Sequence, residues 1–179
     1  MKKKICTFLA AGTMLMATSA FAAPLTDLQE GETTLGYTHY NLSGGWSDVK
    51  DDSFYLESAV APKLILGLEN NSAFPVNGES ATDIYAQYKL DPNVRLIAGN
   101  RSYEDGPNKF FYGVGATVNM APKLDGYLSV TNSSIATEWQ TGVNYKLNKQ
   151  TALTLGYKSY KEDHASTIDG VGFGANYTF

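Results

Sequence analysis

The sequence predicts an all-β protein, an antiparallel transmembrane β-barrel of ten strands, with eight strands as the alternative. Three observations lead to this fold class. Apolar and small or polar residues alternate up to the last residue of the chain, short turn sequences recur at a regular spacing, and the chain begins with a segment typical of exported proteins.

The last strand carries the clearest alternation. Apolar side chains occupy every second position of residues 171–179, and the positions between them hold glycine or polar residues. Because side chains in a strand point alternately to opposite faces, one face is apolar and the other small or polar. A bilayer offers no water to an open sheet edge, so such strands close into a barrel. A soluble antiparallel sandwich would alternate as well and is the competing interpretation.

Two turn sequences recur along the chain. Ala-Pro-Lys-Leu occurs at 61–64 and 121–124, and Tyr-Lys-Leu followed by Asp or Asn occurs at 88–91 and 145–148. Each interval between turns accommodates two strands, and five such intervals give ten strands with both termini on one side of the membrane. Merging the short third and fourth strands would give eight.

The predicted strands are 32–41, 52–60, 64–70, 81–90, 94–103, 109–120, 124–132, 135–147, 151–160 and 168–179. Four three-residue turns, at 61–63, 91–93, 121–123 and 148–150, place the apolar residues that flank them on the outer face together. A one-residue slip would invert a strand, so this agreement predicts the register. Outward aromatic residues then form two girdles, Tyr88, Tyr145, Tyr177 and Phe179 near the turns and Phe54, Tyr112, Trp139 and Tyr157 further away.

The chain ends in a motif of known type. Gly174, Tyr177 and the C-terminal Phe179 resemble the assembly signal of bacterial outer-membrane β-barrel proteins, a glycine followed by two aromatic residues two positions apart. The whole chain resembles the small opacity-protein and porin-like barrels in architecture. The resemblance implies that the barrel-assembly machinery reads this ending.

The first 22 residues are predicted to be a secretory signal peptide. Lys2 to Lys4 precede an apolar stretch at 5–17, and Ala20-Phe21-Ala22 fits a cleavage site. The stretch is too short for a membrane-spanning helix. We therefore expect a mature barrel at 23–179 with a short periplasmic lead at 23–30, in the bacterial outer membrane. The only cysteine, Cys6, leaves with the leader, and the mature net charge of 11 − 18 = −7 disfavours nucleic acid as a partner.

Six charged side chains are predicted to point into the lumen, namely Glu57, Glu69, Asp83, Arg101, Glu138 and Lys158. Arg101 falls directly across two strands from Asp83, and Lys158 lies diagonal to Glu138. Paired charges would fill and neutralise a narrow lumen, since an unpaired buried charge is costly. The alternative is a selectivity constriction in a channel.

Catalysis has one weak candidate. His164 and Ser166, followed by Asp169, resemble a feature of outer-membrane lipases and lipid A deacylases. In those enzymes the acid lies further along the last strand, where this chain offers only Asn176 and Thr178 as inward polar groups. His39 lies near the loop end of the first strand. We predict no catalytic, cofactor or metal site.

The external loops are predicted at 42–51, 71–81, 104–108, 133–134 and 161–167. Their acidic residues are Asp48, Asp51, Glu79, Glu104, Asp105, Glu162 and Asp163. We expect lipid and lipopolysaccharide as surroundings, and a monomer. The predicted function is a structural outer-membrane barrel with a lumen plugged by side chains. The alternatives are a narrow passive porin, a surface adhesin and, most remotely, a lipid-modifying enzyme.

Overall fold

A computed structural model describes residues 23–44, 47–72, 80–163 and 165–179. Its strands are β1 (Thr33–Gly44), β2 (Ser47–Ala61), β3 (Leu64–Asn71), β4 (Ala81–Lys89), β5 (Val94–Tyr103), β6 (Lys109–Ala121), β7 (Leu124–Ser133), β8 (Ala136–Lys146), β9 (Thr151–Glu162) and β10 (Ile168–Thr178). Each strand pairs antiparallel with the next, and β10 pairs with β1 to close the barrel. The ten-strand prediction is confirmed. Within the described ranges, no helix is long and apolar enough to cross a membrane. The predicted signal peptide lies outside them.

The predicted register of the strand pairs is confirmed in all four hairpins, but only two of the turns have the predicted length of three residues. Leu90 and Leu147 each donate a backbone hydrogen bond across a three-residue turn, to Val94 O and Thr151 O, both at 2.9 Å. The other two turns differ slightly from the prediction, because Ala61 pairs with Leu64 and Ala121 with Leu124 after a bulge. Proline follows each of these alanines; it has a fixed φ and lacks an N–H, which favours a tighter turn with the surplus residue taken up as a bulge.

The two faces of the wall differ as the alternation requires. On β3, Leu66 and Leu68 face outward and are 46% and 45% exposed, whereas Ile65 and Glu69 face inward and are buried. Large apolar and aromatic side chains continue this outer surface around the barrel. Such a surface suits hydrocarbon and not water. The fold is therefore that of a transmembrane β-barrel.

The first hairpin extends further than predicted. β1 and β2 pair as far as Gly44 and Ser47, so the connection expected at 42–51 shortens to residues 45–46. The alternation continues through the added residues and turns Asp51 inward, where it is buried. Asp51 is thus a lumen residue, and its assignment to the acidic outer rim was wrong. Glu79, another residue of that rim, lies outside the described residues.

The segment before β1 enters the barrel. Gly31 adopts a positive φ of 86°, and its N–H donates to Ala59 O at 2.8 Å, which anchors the turn that leads into β1. Leu28, which precedes this turn, packs with Ala59 and Ile65 on the inner wall. Residues 23–28 consequently lie inside the mouth of the barrel at the end where the short turns are, which we call the turn side. The opposite end is the loop side.

Candidate functional site: the lumen

A buried ion pair lies in the loop-side half of the lumen. Asp83 on β4 and Arg101 on β5 are directly opposite each other in the register. Arg101 Nε donates to Asp83 Oδ1 at 2.5 Å, and Arg101 Nη2 donates to Asp83 Oδ2. This bidentate arrangement suits a planar guanidinium and a carboxylate. Both side chains are almost completely shielded from water.

Lys158 on β9 contacts other charged side chains of the loop-side half. Its Nζ donates to Asp51 Oδ2 and to Asn71 Oδ1, both at 3.1 Å, and lies 4.0 Å from Glu138 Oε1. It also sits over the ring of Tyr40, 4.5 Å from the centroid. The lysine thus bridges groups from four strands. The sequence placed Glu138 beside it but missed the nearer carboxylate, because Asp51 was assigned to a loop.

Two glutamates occupy the wall of β2 and β3. Glu57 Oε1 accepts hydrogen bonds from Tyr85 Oη at 2.9 Å and from Gln87 Nε2 at 2.5 Å. Glu69 Oε1 accepts a hydrogen bond from Ser53 Oγ at 2.6 Å. Both glutamates are buried. Hydrogen bonds to one oxygen of each carboxylate partly offset the cost of removing it from water.

Inward tyrosine rings fill much of the space between these polar groups, and glycine makes room for them. Gly36 lies directly opposite Tyr55, Gly67 opposite Tyr85, and Gly172 opposite Tyr40. A Cβ atom at any of these glycines would collide with the ring of the opposing tyrosine. The glycine content therefore has a packing reason, which is close contact of large rings with the inner wall.

The lumen carries an excess of negative charge. Of the described residues, the buried acids are Asp51, Glu57, Glu69, Asp83 and Glu138, and the buried bases are Arg95, Arg101 and Lys158. The Oε2 atoms of Glu57, Glu69 and Glu138 have no hydrogen-bond partner among the described residues. Buried polar atoms of this kind are commonly satisfied by water.

The turn-side half of the lumen is filled by residues 23–28. Arg95 Nη1 donates to Thr26 O at 3.0 Å, and Asn144 Nδ2 donates to Leu25 O at 3.1 Å. The sequence predicted this segment as a lead on the turn side, with Asn144 facing inward, but neither Arg95 nor the contacts of these two side chains with the segment were predicted. A signal existed for Arg95, since it follows the outward Val94 and must point inward.

The predicted assembly-signal residues lie at the seam that closes the barrel. Phe179 exchanges two backbone hydrogen bonds with Thr33, at 2.9 and 3.0 Å. The rings of Tyr177 and Phe179 stack with centroids 6.2 Å apart and face outward. Gly174 lies opposite Thr38, and a Cβ there would collide with Tyr37 O. These contacts place the motif in the pairing of β10 with β1, which closes the barrel.

The outer wall holds a small polar cluster near the loop side. Asp52 Oδ1 lies 2.7 Å from His39 Nδ1 and accepts a hydrogen bond from Tyr37 Oη at 2.5 Å. Ser72 Oγ accepts a hydrogen bond from the Asp52 N–H at 2.9 Å. Asp52 thus lies between the histidine and the serine, whereas serine catalysis requires the histidine in the middle.

The predicted catalytic candidate, His164 with Ser166 and Asp169, can be followed only in part. His164 lies outside the described residues, and Asp169 accepts a hydrogen bond from Tyr157 Oη on the outer wall. In the parts of the chain that the structure describes, no group of three or more His, Cys, Asp or Glu side chains could hold a metal ion.

Comparison with known proteins relates this chain to others in fold. No family model matches it, and no curated protein matches it. Similar solved structures include the N-terminal β-barrel domain of Pseudomonas aeruginosa OprF, with 11% identity over 85% of this chain and 100% of that chain (TM-score 0.44). The KdgM porin, solved in complex with disordered oligogalacturonate, has 15% identity over 82% and 99% (TM-score 0.48). The NanC porin has 8% identity over 80% and 98% (TM-score 0.48).

Proposed function

We propose that this protein is a structural β-barrel of the bacterial outer membrane, without catalytic activity, whose lumen is closed by its own side chains. The single observation that carries the proposal is the burial of the lumen charges. Glu57, Glu69, Asp83, Arg101, Glu138 and Lys158 are each between 0 and 2% exposed. Side chains that line a water-filled channel are accessible to solvent, and these are almost completely shielded from it.

The chemistry of the lumen supports the same proposal. The bidentate contact of Arg101 with Asp83 and the contacts of Lys158 with Asp51 and Asn71 pair each of these two side chains with a carboxylate of the protein. Ions that pass through a channel need sites that bind them weakly enough to release them. The Arg101 and Lys158 side chains are instead held by fixed carboxylates, so they fill space and stabilise one arrangement of the strands.

A narrow porin is the second candidate, and one observation favours it. Glu57, Glu69 and Glu138 each retain a buried carboxylate oxygen that has no hydrogen-bond partner among the described residues. A slight widening of the lumen would let water reach these oxygens and form a partial file. An acidic excess would make such a file selective for cations.

Single-channel recording separates the two candidates. The purified chain is refolded, inserted into a planar bilayer and recorded in potassium chloride, with the heat-modifiable band on a gel as the check of folding. We expect no stepwise conductance. Discrete conductance steps would overturn the closed lumen. A reversal potential that indicates cation selectivity under a gradient of potassium chloride would establish the porin.

A further inference from the structure

We infer that the turn-side half of the lumen is a binding site for a short extended peptide, and that this chain occupies it with its own residues 23–28. The inference deepens the proposed function and rests on it in one respect, namely that the loop-side half of the lumen stays closed. The occupant is a segment of the chain itself, held by contacts of three kinds.

The first kind of contact is a set of hydrogen bonds to the peptide backbone of the segment. Side chains from three strands donate to three carbonyl oxygens of the segment, with Asn144 of β8 bound to Leu25 O, Arg95 of β5 to Thr26 O, and Lys89 of β4 to Leu28 O at 2.5 Å. Arg95 is itself oriented by Gln87 Oε1 at 2.9 Å. Donors that converge on main-chain carbonyls recognise an extended peptide largely independently of its side chains.

The second kind of contact is apolar packing around two leucines of the segment. Leu25 is buried, and a Cβ placed on Gly115 would lie 2.5 Å from Leu25 Cδ1 and 3.3 Å from Ile97 Cδ1. Glycine at position 115 therefore forms the floor of a socket for Leu25. Leu28 fills a second apolar socket against Ala59 and Ile65. Two leucines three positions apart, each in its own pocket, give the site its side-chain specificity.

Charge adds a third contact at the mouth. Asp27 Oδ1 lies 2.9 Å from Lys89 Nζ and 3.9 Å from Arg95 Nη2, with its side chain about half exposed. The site thus takes an extended segment with leucine at two positions and a single acid between them. Its cations are matched to the carbonyl groups and the single carboxylate of residues 23–28.

The test uses two reporters in the full chain with Cys6→Ser, which removes its one native cysteine. Ile97→Cys places a thiol beside Leu25, and Thr131→Cys places one in the loop-side half, opposite Glu138. Reaction with a charged, membrane-impermeant maleimide reports the access of water to each thiol. We expect both to be protected in the otherwise unchanged chain.

Displacing the segment should expose only the turn-side reporter. The double substitution Leu25→Asp with Leu28→Asp removes both apolar contacts. We expect Ile97→Cys to react on the order of a hundredfold faster or more, since each of the two buried leucines contributes at least about a factor of ten to the equilibrium. Thr131→Cys should remain protected. Gln29→Asp, which adds one charge at an exposed residue that directly follows the segment, is the control and should change neither rate.

A synthetic peptide then tests recognition in trans. Ala-Pro-Leu-Thr-Asp-Leu should restore the protection of Ile97→Cys in the displaced variant, and the same peptide with aspartate at both leucine positions should not. If the double variant fails to give the heat-modifiable band of a folded barrel, Leu25→Asp alone is used. An Ile97→Cys thiol that reacts freely in the unchanged chain, one that stays protected after displacement, or equal action of the two peptides would overturn the inference. Reaction of Thr131→Cys in the unchanged chain would instead overturn the closed lumen.

Discussion

Arg101 and Asp83 face each other across β4 and β5 and are joined by two hydrogen bonds inside the barrel. Neither side chain is accessible to water, so each neutralises the charge that the other brings into the lumen. Removing one partner of such a pair leaves an uncompensated buried charge, which costs more than the intact pair contributes. The same pair would behave differently in a hydrated channel, where charges couple weakly.

Arg101→Ala should lower the free energy of unfolding by about 3–5 kcal/mol, because it leaves Asp83 buried and unpaired. Adding Asp83→Ala should restore part of this loss. Urea titration in lipid vesicles, followed by tryptophan fluorescence, measures both effects. The control is Lys146→Ala, since Lys146 contacts Asp125 at 2.5 Å but is about half exposed, and we expect a change of about 1 kcal/mol or less. Single variants as stable as the unchanged chain would contradict the paired arrangement.

Gly67→Ala should destabilise the barrel by about 1–3 kcal/mol, the usual cost of overpacking. A methyl group at this position would collide with the ring of Tyr85, which is in turn bound to Glu57. The unfolding midpoint in urea checks this expectation. Gly126→Ala is the matched control, because Gly126 faces outward and its nearest contact is the flexible side chain of Met120. Equal effects of the two substitutions would argue against packing of the rings on the inner wall.

Deleting Phe179 should leave the chain in the periplasm. The deletion removes an outward aromatic ring and both backbone hydrogen bonds to Thr33, which complete the pairing of β10 with β1. Fractionation of cells and the heat-modifiable band measure the outcome. Phe110→Ala, which removes an outward aromatic from β6, is the control and should reach the outer membrane. Full assembly of the shortened chain would show that these residues are not an assembly signal.

Orientation in the membrane can be read from cysteine labels on the two rims. A thiol at Asp105, in the connection between β5 and β6, should react with an impermeant reagent added to intact cells. Thiols at Lys63, Asn93 and Lys149, all at the turn side, should react only after the outer membrane is opened. The reverse pattern would place the turns outside the cell and invert the proposed topology.

Gly115→Leu should expel Leu25 from its socket, since the added side chain occupies the same space. We expect residues 23–28 to become sensitive to proteinase K, with trimming detected by mass spectrometry, while the barrel remains folded. Gly126→Leu, at an outward glycine, should leave the segment protected. An N-terminus that is trimmed equally in the unchanged chain would contradict its burial.

Much of the barrel follows from local pattern. The recurring turn sequences predicted ten strands, and agreement among the residues flanking the turns predicted their register. That register placed Asp83 opposite Arg101 and Gly67 opposite Tyr85. Once the turn of an antiparallel hairpin is known, counting outward from it gives every pair of opposite residues. The missed features of the wall, two bulges and the longer first hairpin, depend on how far pairing continues beyond the last clear alternation.

By itself, the sequence determined the class of fold, the outward and inward faces, and the closure of the last strand on the first. The tertiary structure alone decided that Asp51 reaches Lys158 and that residues 23–28 fold into the lumen. Those residues carry no strand alternation, and their sockets are built by β2, β3, β5 and β6, which meet only when the barrel closes. Contacts between a short segment and the inside of a closed wall join residues far apart in sequence, so no local period encodes them.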